Sequence, residues 1–331
     1  MRRVRIGLLG CGVVGGGLVQ LIERERQRIA ARDSIDLHIA RILVRDRARE
    51  RPGIEPGLLT NEAIEVIDDC DLVVELIGGV HSAGAYVRRA LRAGQDVVTA
   101  NKALLADCGR TLFALARQSG ARIGFEASVC GGVPIVRAIE RGLAGDSIES
   151  LTGIVNGTCN FILTRMEQDG CDFAAALRMA QQRGFAEADP AFDLSGADAM
   201  QKMTILSELA FGPLHRFARM HGIADVTTGE IEQARSRRCV VRHVGSAHRV
   251  PGGVEVRVER RELPETHPLA AVRDENNAVI VRGRAVGEMT FGGKGAGSLP
   301  TAAAVLSDVI ELAASDRRPV AERIPSSMNL T

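Results

Sequence analysis

Between positions 187 and 202 the chain reads Glu-Ala-Asp-Pro-Ala-Phe-Asp-Leu-Ser-Gly-Ala-Asp-Ala-Met-Gln-Lys, which brings Glu187, Asp198 and Lys202 into one short stretch. Asp198 and Lys202 stand four apart at the start of an apolar-patterned segment, so on a helix they share one face. The Asp189-Pro190 turn places the Glu187 carboxylate beside them. An ammonium and two carboxylates that converge can grip an amino acid at both ends and move a proton. The competing reading is a solvated Asp–Lys pair on a helix surface, which contributes little.

The rest of the chain has to position that cluster. At 331 residues it is long enough for two domains. Lys and Arg together number 42 against 41 Asp and Glu, which leaves no electrostatic case for a nucleic-acid partner. The basic run Arg235-Ser236-Arg237-Arg238 is expected to be a solvated face. The start of the chain is too Gly-rich for a signal peptide. No apolar run reaches the ~18 residues of a membrane span, so no membrane partner is expected. The seven cysteines are odd in number, irregularly spaced and lack a Cys-x-x-Cys pair. That fits reduced thiols in a cytoplasmic protein. The seven histidines show no metal-ligand spacing either.

Residues 4–9 form a short apolar run, followed by Gly10-Cys11-Gly12-Val13-Val14-Gly15 and then by Leu18, Leu21 and Ile22 at helical spacing. A G-x-G-x-x-G between a strand and a helix suits a dinucleotide. Gly10 permits the tight turn, Gly12 lets the backbone approach a pyrophosphate, and Gly15 allows close helix–strand packing. A Gly-rich turn with no ligand is the alternative. The first helix is expected to run to about residue 31 and the second strand over 37–44. An NAD-selective site puts Asp or Glu at the end of that strand; here the end reads Val44-Arg45-Asp46-Arg47, in which Asp46 leaves room for NAD, while Asp36 lies at the strand's start, the wrong end. Arg45 is suited to a 2′-phosphate, so NADP is favoured, with NAD still allowed; a solvated loop cation is the competing reading. Further strands are expected over 71–77 and 96–99, with a helix over 83–93 between them. The second of these strands ends at Ala100-Asn101-Lys102, and carboxyl ends of strands face the ligand crevice in open α/β sheets. Lys102 is therefore a candidate for the crevice.

Several segments together resemble homoserine dehydrogenases. They are residues 7–15, Val74-Glu-Leu-Ile-Gly-Gly79, Val98-Thr-Ala-Asn-Lys-Ala-Leu-Leu-Ala106, residues 125–135, Gly153-Ile-Val-Asn-Gly-Thr-Cys-Asn-Phe-Ile162, residues 184–202 and Gly295-Ala-Gly-Ser-Leu-Pro-Thr-Ala302. The resemblance covers nearly the whole chain in order. It implies an α/β fold: a Rossmann-type doubly wound parallel sheet over residues 1–130, completed by 301–331. Residues 131–300 would form an α/β domain for substrate binding and dimerisation, and a C-terminal helix would return to the first domain. The implied activity is reversible NAD(P)H-dependent reduction of L-aspartate 4-semialdehyde to L-homoserine, in threonine, methionine and isoleucine biosynthesis, by a homodimer.

By position, Lys202 matches the proton-donor lysine, and Glu187 and Asp198 match carboxylates that contact substrate. Lys102 matches the lysine at the crevice, and Gly184 and Gly297 match glycines close to the cofactor. Glu126, Val129, Gly131 and Val133 match a sodium site built largely from carbonyl oxygens. Three departures stand out. Cys159 and Phe161 occupy positions where Thr and Tyr are usual, and residues 240–249 are more charged than the apolar helix expected there. The C-terminal threonine-binding domain of longer relatives and the fusion to aspartate kinase are both expected to be absent. Three rivals stay open. One is an aspartate-semialdehyde dehydrogenase-like enzyme with Cys130 as nucleophile. Another is a binding protein that has lost catalysis. The third is a dehydrogenase of a different amino-acid-like aldehyde.

Overall fold

The computed structural model describes residues 1–314. The described chain divides into two compact units, Met1–Ala127 with residues 301–314, and Ser128–Pro300.

In chain order the first unit holds β1 (Arg2–Leu9), α1 (Val13–Asp33), β2 (Ile35–Leu43), β3 (Leu59–Thr60), α2 (Ala63–Asp68), β4 (Leu72–Glu75), α3 (His81–Arg92), β5 (Asp96–Thr99), α4 (Lys102–Ser119) and β6 (Ile123–Gly124). Its sheet has the order β3-β2-β1-β4-β5-β6, and every pairing is parallel. Adjacent strand residues alternate between the two cores that sandwich the sheet. Leu8, Val74 and Val98 pack on one side, where Leu18, Leu21 and Ile22 of α1 cover them. Leu9, Val73 and Val97 pack on the other, under Val87 and Leu91 of α3 and Leu104 and Leu112 of α4. Burial on both faces explains why these strands read as unbroken apolar runs. Parallel strands connected by helices are the doubly wound arrangement, with the crevice at the strands' carboxyl ends. The expected elements are all present, with ends shifted by a few residues. The strand expected over 71–77 is shorter because its chain leaves the sheet at Leu76.

The second unit holds α5 (Ile135–Arg137), β7 (Ile148–Ile154), α6 (Gly157–Asp169), α7 (Phe173–Gln182), α8 (Ala191–Leu194), α9 (Ala197–Phe211), β8 (Arg216–Met220), α10 (Thr228–Ser236), β9 (Cys239–Val250), β10 (Gly253–Pro264), β11 (Asn276–Gly283) and β12 (Gly287–Lys294). Its sheet runs β12-β11-β7-β9-β10-β8; only the β10–β8 pairing is parallel. Residues 240–249, expected as a helix, lie within the long strand β9. Val240, Val241 and Val244 fill the hydrophobic cores beside the sheet. The charge that looked out of place there lies on Arg249 and on Arg242, which is fully buried with no partner for its Nε among the described residues. It donates to Glu167 at 2.6 Å and to the Ala270 carbonyl at 3.0 Å. Cys159 and Phe161, the two departures on α6, are wholly buried in the core that α6, α7 and α10 share.

The last described helix, α11 (Ser298–Ala313), carries Pro300 in its first turn. Proline is tolerated there because the first turn needs no backbone donor. From Thr301 on, the helix belongs to the first unit, where Ala302, Val305, Leu306, Val309 and Leu312 join α1 over the sheet. Asp308 of this helix accepts the Glu126 backbone N–H at 2.8 Å. Expectations for residues 315–331 lie outside the described residues.

Candidate active site

In the second unit, Gly196 caps the start of α9, and its φ of 90° closes the turn that follows α8. Asp198 falls in the first turn of α9 and Lys202 one turn later. The Lys202 Nζ donates to Asp198 Oδ2 at 2.8 Å and to the Val155 carbonyl at 2.7 Å. Their side chains are only 12% and 6% exposed, so this is a buried pair and not the solvated surface pair. Burial pulls the Lys202 ammonium toward the neutral form, but the charges of Asp198, Cys130 and Asp193 outweigh it and the net shift is upward. Lys202 therefore holds its proton at neutral pH while lying almost out of water.

Glu187 is exposed on the loop between α7 and α8, and its carbonyl accepts from Gln181 at 3.2 Å. The carboxylate linked to Asp198 is instead that of Asp193, through Asn156. The Asn156 side-chain amide donates to Asp193 Oδ1 and Asp198 Oδ2, each at 2.8 Å. The Thr158 hydroxyl donates its one proton to the Phe185 carbonyl at 2.7 Å and lies 3.2 Å from Asp193 Oδ2. Asp193, Asn156 and Thr158 were missed from sequence. Asn156-Gly157-Thr158 reads simply as a helix start, and among four acidic residues over 187–198 only folding chooses the one that turns inward. Cys130, with φ 55°, is buried next to the lysine. Burial, together with Asp193 and Asp198, pushes the Cys159 thiol well above the ordinary range. His243 of β9 is buried and pushed down to about 4 by desolvation, so it is neutral.

In the first unit, a cleft of about 790 Å³ is lined by Gly10, Gly12, Arg45, Asp46, Arg49 and Arg51 among others. Gly10 has φ 101°. A Cβ on Gly15 would come within 2.4 Å of the Gly10 carbonyl, whereas one on Gly12 meets nothing within 4 Å. The first contact demands glycine for packing, and the open space at Gly12 leaves room for a ligand. Val13, at the start of α1, is 75% exposed, and Val14 packs partly against the core. Asp36 accepts from Arg26 at 2.8 Å at the far end of β2, away from the Arg45 end.

At the carboxyl ends of β4 and β5, buried Glu75 accepts the backbone N–H groups of Ile77 and Gly78 and the Thr99 hydroxyl. Asn101 caps α4 by accepting from Leu104 at 3.0 Å and donates to the Gly79 carbonyl at 2.6 Å. Lys102 thus opens α4 at a fixed point beside the crevice end of the sheet.

The remaining candidates are spread along the chain. Gly184 (φ 74°) and Gly297 (φ 122°) are both exposed, in turns after α7 and before α11. Glu126 is a buried residue of the first unit, while Val129, Gly131 and Val133 are buried residues of the second. The Val133 carbonyl accepts from Ile135 at 2.8 Å. Among the described residues, no His, Cys, Asp and Glu side chains group to hold a metal ion, and no helix is long and apolar enough to cross a membrane.

Residues 134–310 match the family described as homoserine dehydrogenase, and residues 10–126 match the homoserine dehydrogenase NAD-binding domain. The chain belongs to the homoserine dehydrogenase family. A homoserine dehydrogenase of Bacillus subtilis is 43% identical over 94% of this chain and 73% of its own length. The crystal structure of a homoserine dehydrogenase from Thiobacillus denitrificans superposes with a TM-score of 0.91 at 40% identity, covering 96% of this chain and 76% of that one. A hyperthermophilic archaeal homoserine dehydrogenase, solved in complex with NADPH, is similar at TM-score 0.79 and 26% identity, covering 94% of this chain and 97% of that one. The homoserine dehydrogenase assignment makes the protein an oxidoreductase acting on a small molecule with a nicotinamide cofactor, and the first unit is its nucleotide-binding part.

Proposed function

We propose that this chain catalyses the reversible reduction of L-aspartate 4-semialdehyde to L-homoserine, with NADP preferred, and that Lys202 is the proton donor. The observation that carries this reading is the buried Lys202–Asp198 pair at 2.8 Å. Bound nicotinamide supplies a hydride to the aldehyde carbon, leaving charge to grow on its oxygen. A buried ammonium that keeps its proton stabilises that charge and then neutralises it by proton transfer from Nζ. Asp198 keeps Lys202 charged, and Asp198 with Glu187 binds the α-ammonium of the substrate. In the oxidative direction neutral Lys202 takes the hydroxyl proton. Lys102, at the start of α4, is the second cationic candidate. Gly10, Gly12, Val13, Val14 and Gly15 cradle the pyrophosphate, with Gly184 and Gly297 as further cofactor contacts.

The NADP preference rests on Arg45 in the cleft and on Asp36 being engaged elsewhere; the NADPH complex of the archaeal relative points the same way. By the resemblance, Glu126, Val129, Gly131 and Val133 would supply hard oxygen donors for a sodium ion. Replacing sodium with choline in the buffer should then lower the melting midpoint. Homodimerisation in the cytoplasm completes the reading; sedimentation checks the first part.

The deciding experiment follows cofactor reduction by absorbance with purified protein and L-homoserine at alkaline pH, NADP against NAD. Reduction with NADP faster than with NAD is expected. A folded protein that binds NADP and reduces neither cofactor would overturn the substrate assignment.

A further inference from the structure

We infer that Asn156 is a positioning residue for proton transfer: its amide clamps Asp193 and Asp198 and so fixes Lys202. This rests on the proposed role of Lys202. Asn156 uses all of its side-chain groups inside the fold. Its Oδ1 accepts the Cys159 N–H at 2.7 Å and caps α6. Its Nδ2 donates to Asp193 Oδ1 and to Asp198 Oδ2, each at 2.8 Å. Asp198 Oδ2 is the same atom that receives the Lys202 Nζ, and the preceding residue, Val155, supplies the carbonyl that takes the other Lys202 bond. The β7–α6 junction therefore holds Lys202 both directly and through Asp198. Asn156 is 4% exposed, so water does not stand in for either bond.

The two donors of the amide bridge the two carboxylates and fix the Asp198 oxygen that receives Lys202. Without those donors Asp198 can rotate about its side chain and carry Lys202 out of line. A misplacement of about 1 Å costs on the order of 10²-fold in turnover.

The capping and clamping roles are separable, because Asp and Ser cap a helix about as well as Asn. Asn156→Asp keeps the acceptor for Cys159 and removes both amide donors, and Asn156→Ser keeps the cap with a single shorter donor. If Asn156 is only a cap, Asn156→Ser, which adds no charge beside Asp193 and Asp198, behaves as wild type. If it positions Lys202, both variants lose roughly tenfold or more in kcat, with NADP affinity held and with KM for homoserine changing less than kcat. The residue acts through Lys202, so the two changes must not multiply. In a Lys202→Ala background, Asn156→Asp should alter the residual kcat by less than about threefold.

The test is steady-state homoserine oxidation by wild type, Lys202→Ala, Asn156→Asp, Asn156→Ser and the double variant Lys202→Ala/Asn156→Asp, each with a melting curve. Wild-type kcat in either folded Asn156 variant overturns the inference and leaves the Lys202 assignment intact. So does a full multiplicative loss in the double variant. Near-wild-type kcat in Lys202→Ala overturns the Lys202 assignment and, with it, the clamp.

Discussion

At the scale of single residues, the chemistry depends on a lysine that is buried without being neutral. Desolvation alone would favour the free amine, and neighbouring negative charge reverses it. Two predictions separate these effects. Lys202→Ala should lower kcat in both directions by about 10² to 10⁴-fold and leave NADP binding near wild type. Asp198→Asn keeps the shape but removes the largest charge holding the Lys202 proton. The lysine then loses its proton more easily, so the alkaline rise in homoserine oxidation should move to lower pH. Turnover should also fall, since Asp198 contacts substrate in the proposed mechanism. A kcat profile over about pH 6 to 11 reads both effects, and a rise displaced to higher pH would contradict the arrangement. At this scale the sequence was legible where spacing alone decides contact, as for Asp198 and Lys202 four apart on a helix. It was not legible for Asp193, whose link to Asp198 runs through Asn156, 37 positions before the one and 42 before the other.

At the scale of elements, the β1–α1 junction shows why glycines in one motif are not equivalent. Gly15 has no room, because its Cβ would press on the Gly10 carbonyl at 2.4 Å, whereas a Cβ on Gly12 meets nothing within 4 Å. Gly15→Ala should therefore lower the melting midpoint and weaken NADP binding. Gly12→Ala should leave the midpoint within a few degrees of wild type and still lose NADP affinity, because its methyl enters the space meant for the pyrophosphate. Melting curves with and without NADP separate the two. The first unit was readable from sequence because each strand and helix follows its neighbour and buries itself locally. β9 was not. A strand with helices on one side and charged partners set inside it carries no clean alternation, and Arg242 looks solvent-bound until Glu167 and the Ala270 carbonyl enclose it.

For the whole molecule, chain order and spatial order diverge at residue 301. The helix that completes the first unit is made last, after 173 residues of the second (128–300). Hydrophobic periodicity identifies such a helix but not its destination, which the family resemblance supplied. Its contribution can be bounded. Val305, Leu306, Val309 and Leu312 are nearly or fully buried against the sheet, and burying one such side chain is worth about 1.5–3 kcal/mol. The four together stabilise by roughly 6–12 kcal/mol, which is the size of an ordinary domain's entire margin of about 5–15 kcal/mol. The first unit should therefore not hold NADP without α11. A chain ending at Pro300, and the full-length variant Val309→Asp, should both fail to bind NADP in calorimetry. Both should lose the cooperative melt of the nucleotide unit, although every residue of the glycine loop is still present. Tight NADP binding by the shortened chain would mean that the sheet with α1–α4 is self-sufficient and that α11 only covers a surface it does not need.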